Sequence, residues 1–286
     1  MDIWKAYKLG IKLTLGTDRT MGRLPSLMHH PALIPRCLTP IDYVRYREFD
    51  FAFKAIKEYK PNPNTLLDVS SPKLFPLTIA QTNPKAHIFS IELLKDEVKQ
   101  KLRAAETLGI HNFEATVQDA RSLACDSDRF EAITSLSVLE HIAPENGGDI
   151  SAAKELGRVT SPGGIAIITV PFAKSHFAEY KDGTVYERTA NTEEKLFFQR
   201  FYDHNLLLNN IVKSSGLSTL EMQFIEERCF KNNSHKRLAQ LINSTTKQNA
   251  LFGPLFPIFS GLFLSRPRPL EKCRKPYIAC LVLKKR

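Results

Sequence analysis

Four polar signals stand in order at the carboxyl ends of apolar runs, and their residue types suit the binding of a nucleoside. Asp68 sits at the exit of "TLLDV" and is followed by a turn of Ser70, Ser71 and Pro72. Glu92 closes "HIFSIE", 24 residues further on, where a carboxylate can accept hydrogen bonds from both hydroxyls of a ribose. Asp119 follows the next run in "VQDAR" and could accept from an adenine amino group. The fourth run leads into "LSVLEHI", which places His141 just beyond it. One acidic strand end is common and means little; four polar ends in sequence are hard to obtain by accident. His141 is the first candidate for a proton acceptor, against the reading that Glu140 and His141 cap or pack the following helix. Two adjacent ligands do not make a metal site, so no metal is expected.

The elements that must position these residues are legible as alternating patterns. Apolar strands are expected at 65–69, 87–92, 112–117, 130–136 and 163–170, with helical patterns at about 73–82, 95–108 and 149–160. This alternation implies right-handed βαβ crossovers and a parallel sheet covered on both faces. In such sheets ligands bind beyond the carboxyl ends of the strands. A helix at about 203–215, a strand near 219–228 and a last strand at 277–283 complete the pattern. Upstream, "IDYVRYREFDFAFKAI" reads as an amphipathic helix stopped by Pro61 and Pro63. Residues 3–15 form another, interfacial or docked on the domain, and 21–40 reads as a wrapped arm. Two units are expected: a basic arm over 1–40 and one domain over 41–286.

Composition narrows the class. A hydrophobic fraction of 43% over 286 residues suits a globular protein with a substantial core. The five cysteines are odd in number and form no C-x-x-C pair, which favours free thiols in a reducing, cytoplasmic compartment. The first residues show no long apolar run, so no secretory leader is expected. Charge is unevenly placed: net +4 over residues 1–40, −5 over 41–230 and +11 over 231–286. This arrangement suits either a solvated surface or an anionic partner.

The motifs "LLDVSSP", "SIE", "QDA", "FEAITSLSVLEHI" and "ELGRVTSPGGIAIITVPF" together resemble the class I S-adenosylmethionine-dependent methyltransferases. The resemblance covers about residues 64–172 and extends loosely to 228. It implies a Rossmann-like doubly wound sheet of about seven strands with a reversed last strand, and S-adenosyl-L-methionine as cofactor. By it, Asp68 and the turn of Ser70, Ser71 and Pro72 would face the methionine part, Glu92 the ribose, and Asp119 with Ala120 the adenine. Ser135, Leu136 and Ser137 would line the cleft near the reactive methyl. His176 and Tyr202 lie in the segment after strand five, from which such enzymes often draw acceptor-binding residues. The chain departs from the family's D-x-G-x-G-x-G turn by carrying serines, whose hydroxyls could donate to the cofactor's carboxylate. Ser71 and Pro72 also read as an N-cap and first helical residue. The G-x-G-x-x-G of a dinucleotide fold is absent.

The insert at 231–270 contains "ALFGPLFPIFSGLFLSRPR", apolar and aromatic residues followed by Arg266, Arg268, Lys272, Arg274 and Lys275. It is too short to span a bilayer. Over 251–275 it suits contact with an anionic membrane surface, a lid over the acceptor pocket, or an oligomer contact. The expected function is methyl transfer to a small or lipid-like acceptor, by a protein that is cytoplasmic or peripheral on a membrane. A second reading is a catalytically silent binding module. The basic segments lack interleaved aromatics, so a nucleic-acid substrate stands behind both.

Overall fold

The central apolar runs form strands covered on both faces, which leaves the polar residues at their ends along one rim of the sheet. The computed structural model describes residues 3–20, 41, 44–189, 195–228 and 256–286. The sequence-stretch 21–40 read as an arm, and the part of the insert at 231–255, lie outside the described residues.

Helices α1 (Ile3–Thr20) and α2 (Arg45–Tyr59) precede β1 (Thr65–Val69), α3 (Leu74–Thr82), β2 (His87–Glu92), α4 (Lys95–Leu108) and β3 (Phe113–Val117). Then come β4 (Phe130–Leu136), α5 (Gly148–Val159) and a long β5 (Thr160–Pro171). Short strands follow: β6 (Phe177–Lys181), β7 (Thr184–Val185), β8 (Arg188–Thr189) and β9 (Leu196–Phe201). A helical segment, His204–Leu206 continued by a π-helix over Leu207–Lys213, leads to β10 (Ser218–Glu226). Helix α6 (Phe256–Phe263) and β11 (Pro276–Lys284) close the chain.

Seven strands form one sheet in the order β10-β11-β5-β4-β1-β2-β3. Only β11 runs against its neighbours, so the expected Rossmann-like sheet with a reversed last strand is the one observed. Its alternate residues feed two cores. Leu66, Ile88, Ala132 and Ile167 pack with α1 to α4, while Leu67, Ile133, Ala166 and Ile168 pack with α5 and the π-helix. The leucines and isoleucines among them contribute ~1.5–3 kcal/mol each when fully buried.

Helix α1 buries Ala6 and Leu9 in the first core and is therefore docked on the domain, although Trp4 stays half exposed. Helix α4 ends at Gly109, whose left-handed φ of 66° lets Ile110 N–H return to the Ala105 carbonyl at 2.9 Å. No helix among the described residues is long and apolar enough to cross a membrane.

The strands β6 to β9 were not foreseen in the sequence. They form two antiparallel pairs, β6 with β9 and β7 with β8, in an excursion between β5 and β10. Both ends of the excursion meet at one point, where Ala173 N–H donates to Tyr202 O at 2.8 Å and Tyr202 N–H to Pro171 O at 3.0 Å.

Candidate functional site

A buried lysine organises the rim at its centre. Helix α4 turns Val98, Lys101, Ala104, Ala105 and Leu108 inward, so Lys101 occupies a position in the apolar stripe. Its Nζ lies 3.1 Å from Asp68 Oδ2 and 2.6 Å from Glu92 Oε1, and it donates to Ser90 Oγ at 2.8 Å. Asp68, itself fully buried, also accepts from Ser90 Oγ and from Thr134 Oγ1, each at 3.0 Å. Burial acts to lower the Lys101 ammonium's affinity for its proton, but the two carboxylates outweigh it and hold its pKa above the ordinary value. Burial likewise pushes the Glu92 carboxyl up, against the opposing pull of Lys101.

Beyond this cluster lies a cleft of about 180 Å³ at the carboxyl ends of β1 to β4. Of the residues proposed from sequence, Ser70, Glu92, Asp119, Ala120 and His141 line it together, as does Ser137. Leu93, Val138 and Ile142 add apolar wall. Ser70 adopts φ +51°, the region glycine would favour, and both its N–H and its Oγ donate to the Ile91 carbonyl, at 3.1 and 3.0 Å. The serine hydroxyl thus supports the unusual backbone itself.

The other proposed cofactor residues stand behind this wall. Asp68 points into the lysine cluster, and Ser135 and Leu136 are fully buried in β4. Ser71 is also buried, and its Oγ accepts from Leu136 N–H at 3.1 Å, so the hydroxyl braces the turn against β4. The expected N-cap is corrected: α3 starts at Leu74, no side chain caps it, and Pro72 supplies only a carbonyl to Phe75 N–H at 2.8 Å. Pro76 falls in the first turn, where its missing N–H costs no helical bond.

Asp119 reaches the cleft but is already engaged. Arg121 grips it through Nε, at 3.0 and 2.9 Å, and through its backbone N–H at 2.9 Å. That guanidinium pairing holds the Asp119 carboxyl below the usual carboxylate range. Arg121 also donates to the Ala143 carbonyl at 2.7 Å, which ties the loop after β3 to the loop after β4. Across the cleft stand Tyr186, Glu187 and Arg188, at the turn between β7 and β8.

His141 is set on the cleft wall by the excursion. Its Nδ1 lies 2.8 Å from the Phe198 carbonyl, which makes Nδ1 the protonated nitrogen and leaves the Nε2 lone pair unprotonated. Tyr186 meets the ring edge-on at 5.5 Å. Burial depresses the imidazole pKa to about 4, so it is neutral near pH 7. Glu140 beside it is fully buried, with Oε1 3.6 Å from His141 Nε2 and Oε2 without a hydrogen-bond partner. Burial raises its carboxyl to about 8. Arg200 of β9 fixes this loop by donating to the carbonyls of Leu139, Ile142, Pro144 and Glu145 at 2.8–3.1 Å. Glu48 of α2, equally buried, accepts from Ser137 Oγ and Thr169 Oγ1 and pairs with Arg45 at 2.6 Å.

Two proposed catalytic residues are not at the cleft. His176 is largely exposed and lies 3.3 Å from Asp203. Tyr202 is a core residue: it is fully buried, and its hydroxyl donates to Asp149 Oδ2 at 2.9 Å. Lys101, Arg121, Glu48 and the Tyr186–Arg188 turn were not singled out from sequence. Lys101 alone left a signal, as a lysine at a core-facing helical position.

Residues 67–168 match the family model described as a methyltransferase domain. Among solved structures, an S-adenosylmethionine-dependent methyltransferase from Clostridium acetobutylicum shares 14% identity over 86% of this chain and 93% of its own, with a TM-score of 0.53. The [4+2]-cyclase SpnF shares 18% identity over 83% of this chain and 80% of its own, with a TM-score of 0.52. The N-terminal domain of EvdMO1, in the presence of SAH and D-fucose, shares 14% over 84% and 83%, with a TM-score of 0.51. No curated protein matches the sequence. The family match and the fold bear out the resemblance to class I S-adenosylmethionine-dependent methyltransferases.

Two measurements check the electrostatic framework. Lys101→Met would leave Asp68 and Glu92 buried without their cation, at a cost of ~3–5 kcal/mol in urea unfolding; a change below 1 kcal/mol would contradict the cluster. For Glu140, whose carboxyl is raised from 4.5 to about 8, the folded protein holds an extra proton between these values, so stability falls as pH rises. His141, lowered from 6.5 to about 4, acts in the opposite sense and only below 6.5. Stability should therefore decline by up to ~2 kcal/mol from pH 6.5 to 8. Glu140→Gln should flatten that decline, as read by denaturant titration at the two pH values.

Proposed function

Because residues 67–168 carry a methyltransferase domain, we propose that this protein transfers a methyl group from S-adenosyl-L-methionine to a small or lipid-like acceptor. The observation that carries this reading is the convergence of Ser70, Glu92, Asp119, Ala120 and Ser137, from four successive strand ends, on one cleft. Its chemistry suits an adenosyl group. Glu92 gives one oxygen to Lys101 and keeps acceptor capacity for ribose hydroxyls, and Leu93 with Val138 and Ile142 offers apolar surface for a purine. The bound cofactor supplies a methyl on a sulfonium, already activated for in-line displacement.

The protein's task is then mainly to position the reactants and exclude water. Arg200 holds the loop that carries His141, and the β7–β8 turn encloses the same space with Tyr186 and Arg188. With Nδ1–H donated to Phe198 O, His141 Nε2 is the group that would take a proton from a hydroxyl or ammonium acceptor. Glu140, protonated near neutral pH, leaves no second anion beside it. The apolar wall and the enclosing turn favour an acceptor with apolar surface over a nucleic acid.

One observation supports a second reading, a catalytically silent binding module. Asp119 has its oxygens occupied by Arg121, so an adenine amino group would have to displace that guanidinium. Calorimetry with S-adenosylhomocysteine separates the two. We expect binding to the wild type, weakened by ~1.5–3 kcal/mol in Glu92→Ala, the worth of hydrogen bonds to a charged group. Failure of the folded wild type to bind would select the silent module, and unchanged affinity in the mutant would remove Glu92 from the site.

A further inference from the structure

Away from the cleft, three arginines gather around helix α6, none of them in a salt bridge to an acid among the described residues. Arg47 NH2 donates to the Leu264 carbonyl and Arg228 NH1 to the Gly261 carbonyl, each at 3.3 Å. The two flank the same helix end, since a side chain on Gly261 would meet Arg47 NH2 at 3.7 Å. Burial, opposed by Asp50 and reinforced by the nearby charges of Arg266 and Arg228, lowers the Arg47 pKa. Among the described residues none of these three arginines forms a salt bridge, and Asp50 is itself paired with Lys54 at 2.6 Å. Arg47 Nε is buried without a hydrogen-bond partner, and so is Ser260 Oγ, on a residue only 2% exposed and adjacent to Gly261. Three clustered guanidinium groups, one with an orphaned Nε, are an arrangement that an oxyanion would satisfy.

The same helix presents an apolar pair to solvent. Ile258 and Leu262, one turn apart, are 55% and 50% exposed. Arg266, Lys272, Arg274 and Lys275 continue the basic character beyond it and are exposed. A phosphate-bearing surface that also accepts aliphatic side chains is a lipid headgroup layer; a nucleic acid meets the first requirement and not the second. We infer that α6 and its arginines form a peripheral membrane-contact site, in which Arg47, Arg228 and Arg266 bind headgroup phosphates of anionic lipid while Ile258 and Leu262 enter the interface. This site is independent of the cofactor cleft and does not rest on the methyl-transfer reading.

The test is co-sedimentation of the full chain with phosphatidylcholine vesicles, with and without phosphatidylserine. Binding should require the anionic lipid and fall as salt rises from about 0.05 to 0.5 M, because screening removes the arginine contribution. Each basic residue is worth about fivefold near such a surface. The exposed pair Arg228→Gln/Arg266→Gln should therefore bind ~25-fold more weakly, and addition of Arg47→Gln should take the loss to the order of 100-fold. Ile258→Ser/Leu262→Ser should weaken binding at both salt concentrations. Melting temperature serves as the folding control and should not change in the exposed-residue variants. No sedimentation at low salt, or equal sedimentation of wild type and the Arg228/Arg266 variant, overturns the proposal. So does competition by inorganic phosphate or an oligonucleotide that abolishes binding while the Ile258/Leu262 variant binds normally, since that would mean a site for free or nucleic-acid phosphate.

Discussion

A single ammonium, Lys101 Nζ, joins its helix to two strands that would otherwise present like charges to one another. It reaches from α4 to Asp68 on β1 and to Ser90 and Glu92 on β2, and Asp68 carries the connection to Thr134 on β4. Two carboxylates this deeply buried cannot both remain ionised without a cation between them. The tie therefore fixes the relative positions of the strand ends that line the cleft. It also gives Glu92 one committed oxygen and one available oxygen, which makes its orientation a property of the fold. The left-handed Gly109 caps the same helix, its N–H on the Ala105 and Glu106 carbonyls.

A second set of ties works at the other side of the cleft, where charge and hydrogen bonding replace apolar packing. Glu48 draws α2 onto the ends of β4 and β5 through Ser137 and Thr169, and Arg200 draws β9 onto the loop that carries His141. Here a neutral imidazole stands beside a neutral carboxylic acid, with the charges of Arg45 and Arg200 close to both. Opposite pKa displacements of Glu140 and His141 have the same origin: burial disfavours the charged form of each.

The sheet and its helices were legible because their signals are local. Runs such as "HIFSIE" and "FEAITSL" are apolar on both faces, and the α4 pattern at 95–108 matches the observed span. The polar strand ends at Glu92 and Asp119 were legible for the same reason. Residues whose role depends on distant partners were not. Lys101 lies in a helix with two other lysines, and only its register against Val98 and Ala105 marks it as buried. The β7 and β8 strands are two residues long and carry no alternation. Tyr202 was a candidate because the resemblance places acceptor-binding residues after strand five, whereas Asp149 on a separate helix draws it into the core. At the turn, the serines suggested ligand contacts, and the fold uses both hydroxyls to hold its own backbone.

The excursion between β5 and β10 begins and ends at one pair of hydrogen bonds, between Pro171, Ala173 and Tyr202. A segment closed at its base costs the remaining fold little when its length or content changes, because loop-closure entropy grows only slowly with length. This segment supplies Tyr186, Arg188 and the Phe198 carbonyl that orients His141, yet it contributes nothing to the lysine tie beneath β1 and β2. Evolution can therefore exchange it as a cassette. Under the proposed methyl-transfer reading, a change in this segment would alter the acceptor side of the cleft and leave the strand ends that face the nucleoside as they are.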